Sequence, residues 1–389
     1  MKPTYKTTIF ACFVGYIVQA IVNNFAPLLF ITFQNTYDIP LSQITLLVTI
    51  NFGVQLTVDL LSTLFVDKIG YRTSIVIAQF FSAAGLILLT VLPEVMPPFA
   101  GILLAVIVYA IGGGIIEVLI SPIMESCPTD NKEKAMSLLH SFYCWGHVGV
   151  VLISTAFFTI FSIENWRILA YVWALIPLIN SVIFIKTPIA PLIADGEKGM
   201  TLAELFKSKI FWLLVVMMVC SGACEQAVSQ WASAFAEIGL GISKTAGDLA
   251  GPMTFAVLMG GARAFYGKYG DKINLDKFMA GSAALCVASY LLASLVPNPI
   301  VNLIGCAVCG FSVGIMWPGT FSRAASTLRT GGTAMFALLA LAGDLGCSAG
   351  PTLVGFVSDA VGGNMKIGIL AATIFPAVML VCLLPKKKK

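Results

Sequence analysis

Charge is what this sequence has least of. Lysine, arginine, aspartate and glutamate make up 11% of its 389 residues, whereas 58% are hydrophobic. Soluble proteins carry about 25% charged residues, and intrinsically disordered chains show the opposite bias. The shortage excludes a soluble enzyme, a nucleic-acid-binding protein and a disulfide-rich secreted module. The net charge of +4 does not change this, because four terminal lysines supply part of it. The composition indicates a polytopic protein of the lipid bilayer.

Metal-binding side chains are also few. The chain has two histidines and ten scattered cysteines, such as Cys12 and Cys286, which lie in apolar runs without ligand spacing. Such cysteines are typical of small buried hydrophobic residues. His140, Cys144 and His147 are close in sequence, but on one helix they would spread over about two turns. We expect no metal and no cofactor. With no nucleophile cluster or phosphate loop, the sequence does not indicate an enzyme.

Long apolar runs are what the sequence does contain. A helix needs about 20 mostly apolar residues to cross a membrane. Twelve runs meet this requirement: 7–33, 41–66, 73–92, 97–126, 133–161, 165–187, 203–238, 247–268, 275–296, 299–328, 332–359 and 365–385. The runs are solid rather than alternating, which excludes a transmembrane β-barrel. The first lacks a small-residue cleavage site and is expected to stay as a helix. The sequence therefore predicts an all-α polytopic membrane protein with twelve transmembrane helices.

Basic residues predict the orientation of these helices. With both termini in the cytoplasm, nineteen of the 23 lysines and arginines fall on the inner side. Only Arg167, Lys244 and Lys366 fall outside, and Arg263 lies within a run near its inner end. Without the four terminal lysines the split is still 15 to 3. This asymmetry follows the positive-inside rule. It predicts a multi-pass protein of the plasma (inner) membrane.

The sequence also repeats at about half its length. Residues 64–72, after the second run, and residues 267–272, after the eighth, share one pattern, with Asp67 and Asp271 lying 204 positions apart. Both segments resemble the Gly-x-x-x-Asp-Arg/Lys-x-Gly-Arg loop of the major facilitator superfamily, although a leucine replaces the leading glycine of the first. The resemblance implies a gating role for Asp67, Arg72 and Asp271, because such loops pair carboxylates with basic side chains across helix ends.

The same resemblance implies the domain organisation. Residues 1–187 would form an N-terminal six-helix half, residues 188–202 a cytoplasmic central loop, and residues 203–389 a pseudo-symmetric C-terminal half. We expect the chain to act as a monomer. Its partners would be a small-molecule substrate, protons or sodium ions, and the bilayer.

Polar residues inside the runs are the candidate functional residues, because ionisable groups at membrane depth are costly and usually face a cavity or a partner. Transporters built from paired repeats bind substrate near the midplane. Three pairs lie at matched positions of the two halves: Asn23 with Glu225, Glu117 with Trp317, and His140 with Asp344. The candidates for substrate binding are Gln19, Asn23, Asn24, Glu117, His140, Trp145, Gln226, Gln230, Trp231 and Trp317. The candidates for proton coupling are Glu117, Glu225 and Asp344.

Glu117 is the leading candidate. It lies three residues after Gly114 and five before Pro122, which resembles the fourth helix of the fucose-permease-like sugar/proton symporters. The pair Asn23–Asn24 and the segment 140–146 resemble the first and fifth helices of that group. Two positions depart from it: Ala26 stands where the group has an aspartate, and Ser121 where it has an asparagine.

Burial disfavours the charged form of a carboxyl group, so Glu117 can stay protonated until water reaches it. Its alternative role is a structural hydrogen bond within the bundle, and the same holds for Glu225 and Asp344. Arg263 and Arg323 lie near inner helix ends and are expected to extend to the interface. The flat rings of Trp145, Trp231 and Trp317 suit the binding of a polyhydroxylated sugar ring, although packing in the protein core explains any one of them equally well.

These features favour proton-coupled uptake of a monosaccharide or similar small polar metabolite by alternating access. The alternative is a proton-driven exporter of drugs or metabolites. The drug antiporters of the superfamily carry an arginine in the fourth helix and a Gly-Pro motif in the fifth. Residues 101–121 contain no arginine, and residues 146–149 contain no proline. A receptor or scaffold without transport is disfavoured, since unused intramembrane carboxylates only destabilise the fold.

Overall fold

The computed structural model describes residues 4–128, 132–189, 200, 202–269, 273–328 and 332–384. The chain forms two compact units, Met1–Ala194 and Asp195–Lys389. The described residues form helices joined by short turns, and no strand occurs among them. Each unit contributes six membrane spans, numbered here in chain order.

The first unit contains spans one to six. Their bounds are Tyr5–Asn24 with Phe30–Tyr37, Leu41–Ile69, Tyr71–Val95, Pro98–Ser126, Lys132–Phe161 and Trp166–Lys186. The two parts of the first span are joined by a 3₁₀ turn, Ala26–Leu29. Pro27 explains this break, because its ring nitrogen carries no hydrogen to donate to the preceding turn.

The second unit contains spans seven to twelve, preceded by the short helix Leu202–Lys207. The seventh span is Lys209–Ser229, continued by Ala232–Ala234 and the π-helical turn Phe235–Gly239. The eighth is Lys244–Asp248, the π-helical turn Leu249–Met253 and Thr254–Tyr269. The remaining four are Leu275–Leu295, Pro299–Val313 with Met316–Thr327, Gly332–Ala360, and Met365–Ala372 with Ile374–Leu383.

Eleven of these spans, within the described part of the chain, are long and apolar enough to cross a membrane as they stand. The eighth span is the remaining one, and its π-helical turn at Pro252 interrupts it. The predicted run 203–238 is not one helix. The short helix ends at Lys207, and Ser208 caps the start of the next helix by accepting a hydrogen bond from the Phe211 amide, 3.3 Å away. That helix breaks after Ser229.

Glycine allows spans seven and eleven to pack backbone to backbone. A Cβ atom on Gly346 would lie 1.9 Å from the Val219 carbonyl oxygen, and one on Gly350 would lie 2.4 Å from that of Ala223. On the other helix, a Cβ atom on Gly222 would lie 2.1 Å from the Gly343 carbonyl oxygen. Small residues drive such contacts because helices in lipid associate through close packing.

Candidate functional site

Glu117 lies in a network of amide side chains in the first unit. Gln19 of the first span donates from Nε2 to Glu117 Oε2 of the fourth span, 2.8 Å away. The same nitrogen also donates to Gln55 Oε1 of the second span, 3.0 Å away. Gln19 and Gln55 are each 2% exposed. A half-buried carboxyl group and two buried amides from three spans therefore meet in one network.

The network continues to Asn23, one turn further along the first span. Its Oδ1 accepts from Gln55 Nε2 at 2.8 Å and from Asn51 Nδ2 at 3.3 Å. Asn51 and Gln55 of the second span are not among the candidates predicted from the sequence. The signal was present, because Asn51 and Gln55 have the i, i+4 spacing that Gln19 and Asn23 have on the first span. The structure thus brings Gln19, Asn23 and Glu117 together.

Glycines on the fourth span make room for this network. A Cβ atom on Gly113 would lie 3.2 Å from Gln19 Oε1, and one on Gly114 would lie 3.1 Å from the Gln55 backbone. Both distances are tighter than nearly all real Cβ contacts. Side chains at 113 and 114 would therefore push the fourth span outward and carry Glu117 away from its partners.

The other candidates on the first and fifth spans form a separate group. Asn24 donates to the Ala20 carbonyl at 2.9 Å and lies 3.5 Å from the Tyr143 hydroxyl. The His140 ring lies 5.3 Å from the Tyr16 ring. Tyr16 in turn shares a 2.9 Å hydrogen bond with Ser121. Ser121, where the symporter group has an asparagine, thus links the fourth span to the first.

Trp145 does not join either group. Its side chain is 49% exposed, as are those of Leu138 and Leu152, seven residues before and after it. Residues seven apart lie on one helix face. Trp145 therefore lies on an exposed apolar face of the fifth span.

In the second unit, Glu225 of the seventh span pairs with Arg263 of the eighth. Their Oε2 and Nη2 atoms are 3.2 Å apart, and the two side chains are 9% and 17% exposed. Gln226 donates to the other Glu225 oxygen at 3.3 Å, and Gln230 donates to Gln226 at 3.0 Å. The expectation that Arg263 extends to the interface is therefore wrong. An ion-pair partner at membrane depth attracts its guanidinium instead.

Arg323, the other arginine near an inner end, pairs with Asp276, whose side chain is 61% exposed. The pair is 3.0 Å long and lies at the surface of the unit.

Trp231 and Trp317 differ in their surroundings. Trp231 is fully buried, and its indole N–H donates to the Pro351 carbonyl at 2.9 Å, which joins spans seven and eleven. The ring of Trp317 lies against Gly343, where an added Cβ would come within 2.2 Å of it. Asp344 follows Gly343 in the sequence and is buried, at 6% exposure. Trp317 and Asp344 are thus carried by adjoining segments of spans ten and eleven.

A cluster of charges at the turn between spans seven and eight was missed. Asp248 is buried and accepts a short hydrogen bond from Ser233. The Lys244 ammonium lies 3.2 Å from Asp248 and 3.6 Å from Glu237. The sequence signal was the opposite-charge pair at i and i+4, Lys244 and Asp248. The sequence analysis had assigned Lys244 only to the outer side.

Arg72 is the one predicted gating residue whose side chain is described. It donates to the carbonyl oxygens of Ile185 and Thr187, both 2.8 Å away, and so caps the end of the sixth span. Asp67 lies in the second span, but its side chain is outside the described residues, as is Asp271. At the other end of the unit, Arg167 pairs with Glu94.

No group of three or more histidine, cysteine and acidic side chains within the described ranges could hold a metal ion. All ten cysteines are free thiols, and all except Cys382 are buried.

Comparison with known proteins extends over most of the chain. A sequence model of the family described as Major Facilitator Superfamily matches residues 8–351. Membrane protein MosC of Rhizobium meliloti is 23% identical over 327 residues, which is 81% of this chain and 76% of MosC.

Two solved structures share the fold. A bacterial homologue of the human lysosomal transporter Spinster aligns with a TM-score of 0.78 at 14% identity, over 98% of this chain and 97% of its own. The Escherichia coli fucose:proton symporter FucP aligns with a TM-score of 0.67 at 18% identity, over 97% of this chain and 98% of its own.

Proposed function

Because the chain belongs to the major facilitator superfamily and is a membrane transporter, we propose that it takes up a monosaccharide or similar small polar metabolite together with protons. Transport would follow alternating access. The observation that carries this proposal is the contact of Glu117 with the Gln19 amide at membrane depth, where Gln19 also donates to Gln55.

Amides suit a hydroxylated substrate because each offers two donors and one acceptor oxygen. Gln19, Asn23 and Gln55 present such groups from two neighbouring spans. A sugar hydroxyl, which both donates and accepts, can replace any one of these contacts. In the second unit, Trp317 is a separate candidate, because its ring is a flat apolar surface of the kind on which sugar rings pack.

Glu117 suits proton coupling because it is a carboxyl group that accepts a hydrogen bond from the neutral amide of Gln19. A charge at membrane depth is costly, so the carboxylate favours binding a proton before the transporter changes state. Protonation leaves the Gln19 contact available as a hydrogen bond between neutral groups. We assign proton coupling to Glu225 and Asp344 as well, since both are buried acids of the second unit.

The proposed setting is the plasma (inner) membrane with both termini in the cytoplasm and the central loop, residues 188–202, on the same side. Arg72 supports this orientation, since it caps the sixth span at the end where basic residues gather. We assign gating roles to Asp67 and Arg72 in the first unit and to Asp271 in the second, in a transporter that acts as a monomer.

The test is uptake into proteoliposomes with an imposed proton gradient, over a panel of monosaccharides and small polar metabolites. We expect uptake of one class of solute with matching proton influx. Glu117→Gln, which keeps the shape and removes the charge, should abolish gradient-driven uptake while solute exchange at equal pH persists.

Glu164→Gln is the matched control, because Glu164 lies on the exposed turn before the sixth span. It should transport like the original protein. Extrusion of cationic dyes with no uptake of any panel member would overturn the proposal and support an exporter. Full gradient-driven uptake by Glu117→Gln would remove Glu117 from the coupling step.

A further inference from the structure

Arg263 is a basic residue held inside the second unit at membrane depth. Its Nη2 meets Glu225 of the seventh span at 3.2 Å, and its Nε donates to the Gly314 carbonyl of the tenth span at 3.4 Å. Glu225 lies near the middle of residues 209–239, the seventh span with its continuation. The guanidinium therefore reaches from the eighth span toward the centre of the unit.

We propose that Arg263 binds the carboxylate of a hydroxylated organic acid, and that Glu225 occupies Arg263 until this substrate arrives. The inference rests on the proposed transport function and names its substrate class. The solute would be a sugar acid or a similar hydroxy acid rather than a neutral sugar.

Stability alone is a poor reason for this ion pair. Desolvation offsets most of the attraction between two buried charges, and apolar residues of similar volume often stabilise a protein more. At membrane depth both charges also oppose insertion. In a transporter the two charges can serve substrate binding. Arg263 would bind an anionic substrate, and Glu225 would neutralise Arg263 whenever the substrate is absent.

The contacts of the pair are long enough to be exchanged. Charge-assisted N–H···O bonds are usually about 2.7–2.9 Å long, whereas Arg263 Nη2 and Glu225 Oε2 are 3.2 Å apart. The Arg263 side chain keeps 17% exposure and that of Glu225 keeps 9%, while every residue from Cys220 to Ala236 is buried. A substrate carboxylate can approach the guanidinium fork in two parallel hydrogen bonds, the geometry that arginine favours.

The neighbouring amides indicate that the acid is hydroxylated. Gln226 contacts Glu225 at 3.3 Å and Gln230 contacts Gln226 at 3.0 Å, so a line of amides begins at the charge pair. Hydroxyl groups next to a carboxylate would meet these donors and acceptors, whereas a plain fatty acid would leave them unpaired in a buried place.

The exchange is balanced in charge. The substrate carboxylate takes the place of Glu225 beside Arg263, and the displaced Glu225 binds one proton. The site then contains the Arg263 cation, the substrate anion and neutral Glu225, so its net charge is the same as before. One anion and one proton enter together, and this subsite moves no net charge.

The experiment compares sugar acids with uncharged counterparts. D-Glucuronate and D-gluconate would be measured against D-glucose and D-glucuronamide in proteoliposomes, as uptake and as competition. We expect the acids to be preferred by at least about 10-fold, since charged hydrogen-bond partners discriminate strongly. Arg263→Gln should remove the preference, and Arg263→Lys should restore part of it.

Glu225→Gln is expected to change acid binding in the opposite direction to Arg263→Gln. Because it removes the internal competitor, acid binding should tighten several-fold and lose the part of its pH dependence that comes from protonation of Glu225. A purely structural pair would instead leave the preference for acids unchanged in every variant that folds. Arg323→Gln is the matched control, since that arginine pairs with the exposed Asp276, and it should keep the preference.

Three further outcomes overturn the inference. The first is equal uptake of acids and neutral counterparts, and the second is weaker acid binding in Glu225→Gln, which decides the question if Arg263→Gln fails to fold. Both leave the proposed function standing if neutral sugars enter in a Glu117-dependent way. The third is an absence of gradient-driven uptake for every solute, which overturns the proposed function as well.

Discussion

Replacing Gly346 by alanine should destabilise the second unit through one added methyl group. The new Cβ would lie 1.9 Å from the Val219 carbonyl oxygen and 2.9 Å from the Ala223 nitrogen. Both are backbone atoms of the seventh span, so neither can rotate away as a side chain would. Reaching the 3.4 Å of ordinary contact requires spans seven and eleven to separate by about 1.5 Å.

The cost can be worked out from the contacts that this separation disturbs. Overpacking costs about 1–3 kcal/mol. The Trp231–Pro351 hydrogen bond, 2.9 Å long, would be stretched beyond its range, which costs about 1 kcal/mol. Alanine recovers about 1 kcal/mol because it is a better helix former than glycine. The net expectation is a loss of about 1–3 kcal/mol of unfolding free energy.

Thermal unfolding in detergent measures this effect. The matched control is Gly281→Ala in the ninth span, where an added Cβ meets nothing within 4 Å. That variant should be unchanged or more stable by up to about 1 kcal/mol. Equal unfolding temperatures for the two variants would refute the close contact between spans seven and eleven.

Two further substitutions test other parts of the second unit. Trp231→Phe removes the donor to Pro351 and should cost about 1 kcal/mol, seen as a lower unfolding temperature with the helix content unchanged. Asp248→Asn leaves Lys244 with the more distant Glu237 carboxylate and should cost about 1–3 kcal/mol. The exposed Asp359→Asn serves as its control, and a loss of similar size there would contradict the role given to the buried charge.

Most of the fold could be predicted because lipid imposes one rule on every span. Each crossing must be a helix of about 20 apolar residues, so counting apolar runs comes close to the observed bounds. The seventh span shows where this stops. By hydropathy, residues 203–238 form one continuous apolar run. The helix boundary at Ser208 and the break after Ser229 depend instead on local hydrogen bonds.

The candidate site could be predicted only in part. Gln19, Asn23 and Glu117 stand out as polar residues in apolar runs, and the structure places them in contact through Gln55. The partner of Arg263 could not be read from the sequence. A long flexible side chain can turn either toward the interface or toward a charge on another helix, and the tertiary packing decides which.

The chain of amides that ends at Glu117 has a direction. An amide exchanges its donor and its acceptor by a half-turn of its last torsion. At present Gln19 donates to Glu117, while its own Oε1 is buried with no hydrogen-bond partner among the described residues. If Glu117 becomes a donor, Gln19 turns to accept from it, and Gln55 and Asn23 must turn in sequence. The direction of donation along these amides on three helices therefore depends on whether Glu117 is protonated. This direction can reverse without any movement of the backbone.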